Sequence, residues 1–271
     1  MIYSNLLKRI SVASLLLLAA TLSLISIFCI DAVADDKGLL IAREGDRRDS
    51  GYGDYSAIMV MTLRSADGKE ALRKMRLLDL EVNNDGDKTL LVFDAPKDVE
   101  GTALLTWSHK TKDDDVWLYL PSLSRVKRIS GNNKSGAFMG SEFAFEDIGS
   151  PEVEKFTYQF IEESQFDGQL CTVVDQVPTY ANSGYSRQRV WRDKAEYRVL
   201  KIDYYNHRNE LLKTMRAFDY KRYLDRFWFP GRYEMVNHKS GRSTKLLFQN
   251  YKLRNGYTSR DFDQTSIQSA R

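Results

Sequence analysis

Cysteine is almost missing from this chain: Cys29 lies in an apolar run near the start, and Cys171 is the other. A lone thiol beyond that run closes no internal disulfide. This excludes a small stapled secreted scaffold and leaves Cys171 as a buried core thiol. Histidine is equally sparse. His109, His207 and His238 stand apart, no two at metal-ligand spacing, and HExxH does not occur. They read as surface or strand-end residues.

Other chemistries are missing too. No glycine-rich loop links a strand to a helix, so no nucleotide fold is indicated. The nucleophile elbow GxSxG is absent, and SGYS at 183–186 does not supply it. LEVNNDGDK (80–88) fails as a calcium loop: with Gly86 as the loop glycine, the twelfth position is Val92 instead of Glu. Asp113–Asp115 reads as a hydrated turn. Excess charge of one sign is also absent, 40 basic residues standing against 37 acidic ones, which argues against a polyanion binder. No catalytic residue, metal site or cofactor is expected, and no nucleic-acid partner.

One long apolar run is present, Ile10 to Ile30, preceded by Lys8 and Arg9 and followed by DAVADD. A basic start, an apolar middle and Ala32/Ala34 describe an export signal cleaved after Ala34. The alternative is an uncleaved inner-membrane anchor, since the run is long enough to span a bilayer. Either places the remainder outside the cytoplasm, in the periplasm. Cys29 follows Ser-Ile-Phe, where an acylated cysteine would follow small residues. The expected organisation is a signal over 1–34 and a single domain over 35–271.

Residues 35–49 carry Leu39, Leu40 and Ile41 among charges and predict a short amphipathic helix. The period then changes. Tyr55, Ala57, Met59, Met61 and Leu63 alternate, the SADGKE turn follows, and a return strand runs from Glu70 to Leu80. Further strands are predicted over TLLVFD, Ala103–His109, Val116–Leu120, Arg125–Ile129, Lys155–Glu162, Leu170–Val177, Tyr185–Arg192, Arg198–Tyr205, Leu211–Tyr220, Tyr233–Asn237, Lys245–Tyr251 and around Thr258. Short strands joined by DGQ, RDK, HRNE and KSGR make an antiparallel meander. TALLTW and TLLVF are apolar on both parities, unlike a sheet with one wet face. Either both faces are covered, or one is core and the other lines a dry cavity.

The stretch 117–149 is of another kind. Arg125, Lys127, Arg128 and Lys134 gather behind WLYLP and read as a charged strand near a sheet edge, or as a rim meeting anionic headgroups or an acidic partner. In GAFMGSEFAFEDIG, Phe138, Met139, Phe143, Phe145 and Ile148 sit among glycines. Ser141 is placed to cap a short helix with Glu142 in its first turn. These apolar residues do no chemistry, but they suit a core plug or a movable lid over a lipid-sized cavity. RFWFPGRYEM (226–235) reads as packed core with a proline–glycine turn, the alternative being a membrane-touching tip.

FDAPKDVEGTALLTW (93–107), VWLYLPSLSRVKRISG (116–131), FMGSEFAFEDIG (138–149), YSRQRVWRDKAEYRVLKIDYY (185–205) and TKLLFQNYKLRNGYTSRDF (244–262) together resemble the LolA-like outer-membrane lipoprotein-sorting proteins of Gram-negative bacteria. The resemblance is to the branch found with MMPL/RND-type exporters. It implies a mainly β fold, a strongly curved, unclosed antiparallel half-barrel with short covering helices. It further implies a concave face that holds acyl chains of lipid or lipoprotein in the periplasm, without enzymatic activity. Phe138, Met139, Phe143, Phe145 and Ile148, with Leu104, Leu105, Trp107, Trp117 and Tyr119, are the expected cavity or lid residues. Asp147 closes the lid segment and is placed to anchor it by hydrogen bonds. Arg125, Lys127 and Arg128 are the expected rim. The partners implied are lipid or acylated lipoprotein cargo, an inner-membrane exporter and transient membrane contact. The rival readings are a non-transporting sensor or scaffold docked to that exporter, and a secreted hydrolase on a similar sheet.

Overall fold

The computed structural model describes residues 36–269; the expected export signal and its cleavage point lie outside them. Helix α1 occupies residues 36–49. Six strands follow: β1 (Asp54–Arg64), β2 (Glu70–Leu80), β3 (Lys88–Ala95), β4 (Ala103–Trp107), β5 (Asp115–Leu120) and β6 (Arg125–Arg128). After a long connection come β7 (Phe156–Phe166), β8 (Gln169–Pro178), β9 (Arg187–Asp193), β10 (Val199–Tyr205) and β11 (Leu211–Phe218). The chain ends with β12 (Lys221–Tyr223), β13 (Phe227–Phe229), β14 (Arg232–Asn237), β15 (Ser243–Leu253) and the one-turn helix α2 (Ser266–Ser269).

Turn chemistry explains the meander. Between β7 and β8, Asp167 and Gly168 both adopt positive φ, 48° and 75°. That conformation favours Asp-Gly and matches the twist of the strands it joins. Sequential hairpins build β1–β6 on one flank and β7–β11 on the other, and β15 unites them by pairing with both β1 and β14. The result is one antiparallel sheet of 13 strands whose edges, β6 and β7, do not pair with each other. It is an unclosed half-barrel. β12 and β13 form a separate hairpin that is not among the predicted strands and that takes in the start of the stretch read as packed core with a proline–glycine turn. No strand forms at Thr258. Its hydroxyl and N–H both donate to Asp261, capping a 3-10 turn over Ser259–Phe262.

One parity of the sheet forms the main core. Met61 (β1), Met75 (β2), Phe93 (β3), Leu104 (β4), Leu118 (β5), Tyr204 (β10), Met215 (β11), Met235 (β14) and Leu246 (β15) share a single apolar cluster. Strands so far apart in the order meet only because the twisted sheet curls around that face, which is therefore concave. Helix α1 covers its β7–β8 end, setting Ile41 and Ala42 on Tyr158 and Val174. Gly38 makes this possible: a Cβ there would lie 2.9 Å from the backbone nitrogen of Phe160.

The opposite face of β3–β5 is covered as well, which explains the two apolar parities. Leu90, Val92, Ala103, Leu105, Trp117 and Tyr119 pack beneath Phe262 and Ile267 of the C-terminal segment. Asp54 steers that segment by accepting the N–H groups of Asn255 (2.7 Å) and Gly256 (3.0 Å). The indole N–H of Trp107 donates to the carbonyl of Phe262 at 2.7 Å. On β9–β11 and β14 this convex face is wet instead, and cations shield its rings. Arg187 lies 3.4 Å from the ring centre of Tyr205, and Lys201 3.9 Å from that of Trp191.

Candidate ligand-binding site

The connection between β6 and β7 fills the concave face at its β1–β5 side. No helix begins at Ser141, contrary to the sequence expectation. Ala137 and Ala144 instead form an antiparallel bridge, and the Phe138 N–H donates to the Phe143 carbonyl at 2.7 Å. Met139 (φ 49°) and Gly140 (φ 75°) supply the left-handed turn that doubles the chain back. A helix this short would gain too few backbone bonds to repay its nucleus, whereas the doubled loop puts Phe138 and Phe143 side by side.

The apolar side of this plug points into the barrel. Phe138 is 1% exposed, its ring 5.9 Å from Phe93 and 5.6 Å from Phe145. Phe143 is buried, and Met139, Phe145 and Ile148 pack against the same core, which includes Leu104. Leu105, Trp107, Trp117 and Tyr119, expected beside them, belong to the other face under Phe262 and Ile267. Strand pairing decides this: Leu104 faces Leu118 across β4–β5, while Leu105 faces Trp117 and Ala103 faces Tyr119, so the two sets alternate to opposite sides.

The polar side of the plug is tied to the barrel wall. Asp147 accepts from its own loop through Ala144 N–H (2.6 Å), from the Tyr185 hydroxyl (2.9 Å) and from the Lys213 ammonium (2.7 Å). Lys213 also donates to the Glu142 carbonyl at 2.9 Å. Glu142 receives Asn237 Nδ2 (2.7 Å) and Arg242 Nε (3.0 Å) through its carboxylate. Arg73 donates to the Met139 carbonyl and Arg242 to the Gly140 carbonyl. Glu146 is tied to the β8–β9 loop by Tyr180, Ser183 and the Gly184 N–H. Burial first of all raises the Glu146 carboxyl above the ordinary range, against the pull of those hydrogen bonds. Lys213, Arg73, Arg242 and Tyr185 were not legible as plug anchors. The available signal was Lys213 sharing the inward parity of Met215 and Ala217 on β11.

The rim cations divide. β6 is an edge strand, and Arg125 and Lys127 are exposed on it. Arg128 turns to the other side and pairs with Asp115. Lys134 is buried and donates to the Asp114 carbonyl at 2.7 Å. The histidines are held by local bonds. His109 lies between Asp85 (2.7 Å) and Asp115 (3.2 Å), His207 bonds the Ser183 carbonyl at 2.8 Å, and His238 bonds the Thr214 hydroxyl at 2.8 Å. Burial would raise the Asp85 carboxyl, but the hydrogen bond from His109 and those from backbone N–H groups outweigh it and hold it at about 2. Among the described residues no group of three or more His, Cys, Asp and Glu is arranged to hold a metal ion.

The concave face stays open at the other end of β11 and β15 from the plug contacts Lys213 and Thr244. A pocket of about 410 Å³ lies under the β12–β13 hairpin, lined by the rings of Tyr223, Phe229, Phe248 and Tyr251 and by the polar residues Lys221, Gln249 and Asn250. Its size falls within the usual range for small-ligand pockets, roughly 300–1,000 Å³. Phe229, from the RFWFPGRYEM stretch, packs against Tyr251 with ring centres 5.1 Å apart. Phe248 packs against the same core as Phe138 and Phe143.

A solved domain assigned to outer-membrane lipoprotein sorting, from Vibrio parahaemolyticus, is 48% identical over 86% of this chain and 99% of its own, with a TM-score of 0.85. The chain belongs to the outer-membrane lipoprotein-sorting protein family. A DUF1329 family protein from Desulfovibrio piger is 28% identical over 87% of this chain and 99% of its own (TM-score 0.82). A LolA superfamily protein from Nitrosomonas europaea shares the fold at 21% identity, over 83% and 97% (TM-score 0.67). A family model described as "Uncharacterized protein" matches residues 85–269. No curated protein matches the chain at a significant level. The unclosed half-barrel is thus the fold that this chain shares with these solved relatives.

Proposed function

We propose that this protein is a periplasmic carrier or accessory that binds an acyl chain of a lipid or lipoprotein against its concave face. The observation behind this reading is that the open aromatic pocket and the plug rest on one apolar core. Phe248 at the pocket packs on the cluster that buries Phe138 and Phe143. A chain entering at the pocket and lifting the plug exchanges one apolar contact for another. Each methylene withdrawn from water is worth about 0.8 kcal/mol, so a twelve-carbon chain gains on the order of 9 kcal/mol before entry costs. Release then needs a partner that shifts the plug between its seated and lifted positions. Arg125 and Lys127 on the edge strand, with Arg128, are the surface offered to that partner or to anionic headgroups. No catalytic step is involved.

The many bonds that hold the plug, among them the buried pair Lys213–Asp147, favour a second reading. In it the plug stays seated, and the protein is a sensor or scaffold docked to an inner-membrane RND/MMPL-type exporter. Native mass spectrometry of protein purified from the periplasm without detergent separates the two. A reproducible lipid or acylated-peptide adduct, lost in a folded Phe143→Asp/Phe145→Asp variant, supports the carrier. A clean apo mass with no uptake from envelope lipids sinks it in favour of the docked accessory.

A further inference from the structure

The three cations that hold the plug come from the barrel wall: Arg73 from β2, Lys213 from β11 and Arg242 from the β14–β15 turn. Every acceptor they use belongs to the plug. These are the carbonyls of Met139, Gly140 and Glu142 and the carboxylates of Glu142 and Asp147. All five acceptors lie within nine consecutive residues, so the cations converge on one margin of the concave face. Lys213 is the most enclosed, its side chain 5% exposed. Besides Asp147 and the Glu142 carbonyl, it meets the rings of Tyr185 and Tyr204 at 5.0 and 5.1 Å. Among the described residues Arg73 has one hydrogen-bond partner, a neutral carbonyl; desolvation chiefly lowers its affinity for its proton, against the pull of nearby Asp98.

Lifting the plug takes both carboxylates away with it and leaves Lys213 buried without its counter-charge, with Arg73, which keeps Asp98 nearby, and the half-exposed Arg242 at the same apolar-walled margin. A buried cation without its counter-charge is strongly unfavourable. A neutral chain that displaced the plug would leave that cost unrelieved; a chain carrying an anion at one end relieves it. We infer that the ligand of the concave face is an anionic amphiphile, one apolar chain ending in a carboxylate or phosphate, whose anion takes the place of Asp147 opposite Lys213, with Arg73 and Arg242 beside it. The plug is then an internal stand-in for that ligand: phenylalanines in the position of the chain and Asp147 in that of the headgroup. This rests on the acyl-binding reading above and adds the chemistry of the headgroup.

The test is isothermal titration calorimetry of the full chain at neutral pH with laurate, with 1-dodecanol, and with inorganic phosphate alone. Laurate is expected to bind at least about tenfold more tightly than dodecanol, because a charge-assisted hydrogen bond in a desolvated site is worth a factor of that order. In Lys213→Met/Asp147→Asn, which removes the buried pair together and is checked for folding by its melting curve, the preference for laurate over dodecanol should shrink to the small remainder that Arg73 and Arg242 supply. Equal binding of laurate and dodecanol to the native protein, or a preference undiminished in the double variant, overturns the headgroup assignment while leaving acyl binding intact. Phosphate binding as tightly as laurate overturns it in favour of a free-anion site. Binding of none of the three overturns both readings.

Discussion

Lys213 Nζ lies 2.7 Å from Asp147 Oδ2, with 5% and 4% of the two side chains exposed. This pair joins the plug to β11, and losing one partner strands the other without solvent. Lys213→Met should therefore destabilise the fold by about 3–5 kcal/mol. Urea denaturation of the single variants and of Lys213→Met/Asp147→Asn checks this. The double variant should recover most of the loss, as expected of residues in direct contact.

Phe262 is fully buried against the convex side of β3–β5. Phe262→Ala should cost about 3–5 kcal/mol and loosen the cover over Trp107 and Trp117, whose rings lie 4.9 Å apart. A red shift of tryptophan emission at low denaturant, before the main transition, is the expected readout. An unchanged spectrum would show that the C-terminal segment does not shield these rings.

Stability should fall as pH rises from about 4 to 7. Burial, with repulsion from Asp87 next, pushes the Asp79 carboxyl up to about 7, although Tyr52 (2.6 Å) and Thr89 (2.7 Å) donate to it. Burial is also the leading cause that brings Glu152 to about 7 and Asp49 to about 6. Groups whose folded pKa is raised bind more protons folded than unfolded. Their contribution is complete below the unfolded value of about 4 and is lost as pH passes the folded value. The melting temperature at pH 5 should exceed that at pH 8 by several degrees. Asp79→Asn, which removes the titrating group but keeps one acceptor oxygen and sets an amide NH2 opposite the other hydroxyl, should reduce the difference.

Cys171 is fully buried in β8, and its thiol is raised first by burial and then by Asp193. Both effects oppose thiolate formation. A thiol-specific disulfide reagent should react slowly with the folded protein and at a normal rate in urea. Fast reaction of the native state would mean that β8 opens readily.

The helix over 36–49 and almost every strand of the large sheet were legible because alternation and Asp/Gly turns are local signals. The β12–β13 hairpin was not. Its strands are three residues each, too short for a period to show, and they form because the concave face offers Phe248 and Tyr251 to pack on. The plug misled in a different way. Ser141 followed by Glu142 carries the local signature of a helix start, yet burying Phe138 and Phe143 together favours a doubled loop.

By itself, the sequence determined an antiparallel meander and marked residues 138–148 as apolar chain among glycines. Those features depend on neighbours a few residues away. Only the tertiary structure decided that Leu104 faces the plug while Leu105 faces Phe262, and that Lys213 closes on Asp147 across 66 positions. Register and curvature decide both. A strand's two faces are equivalent until its partners and its curl assign one of them to the inside, and a buried charge finds its counter-charge through space rather than along the chain.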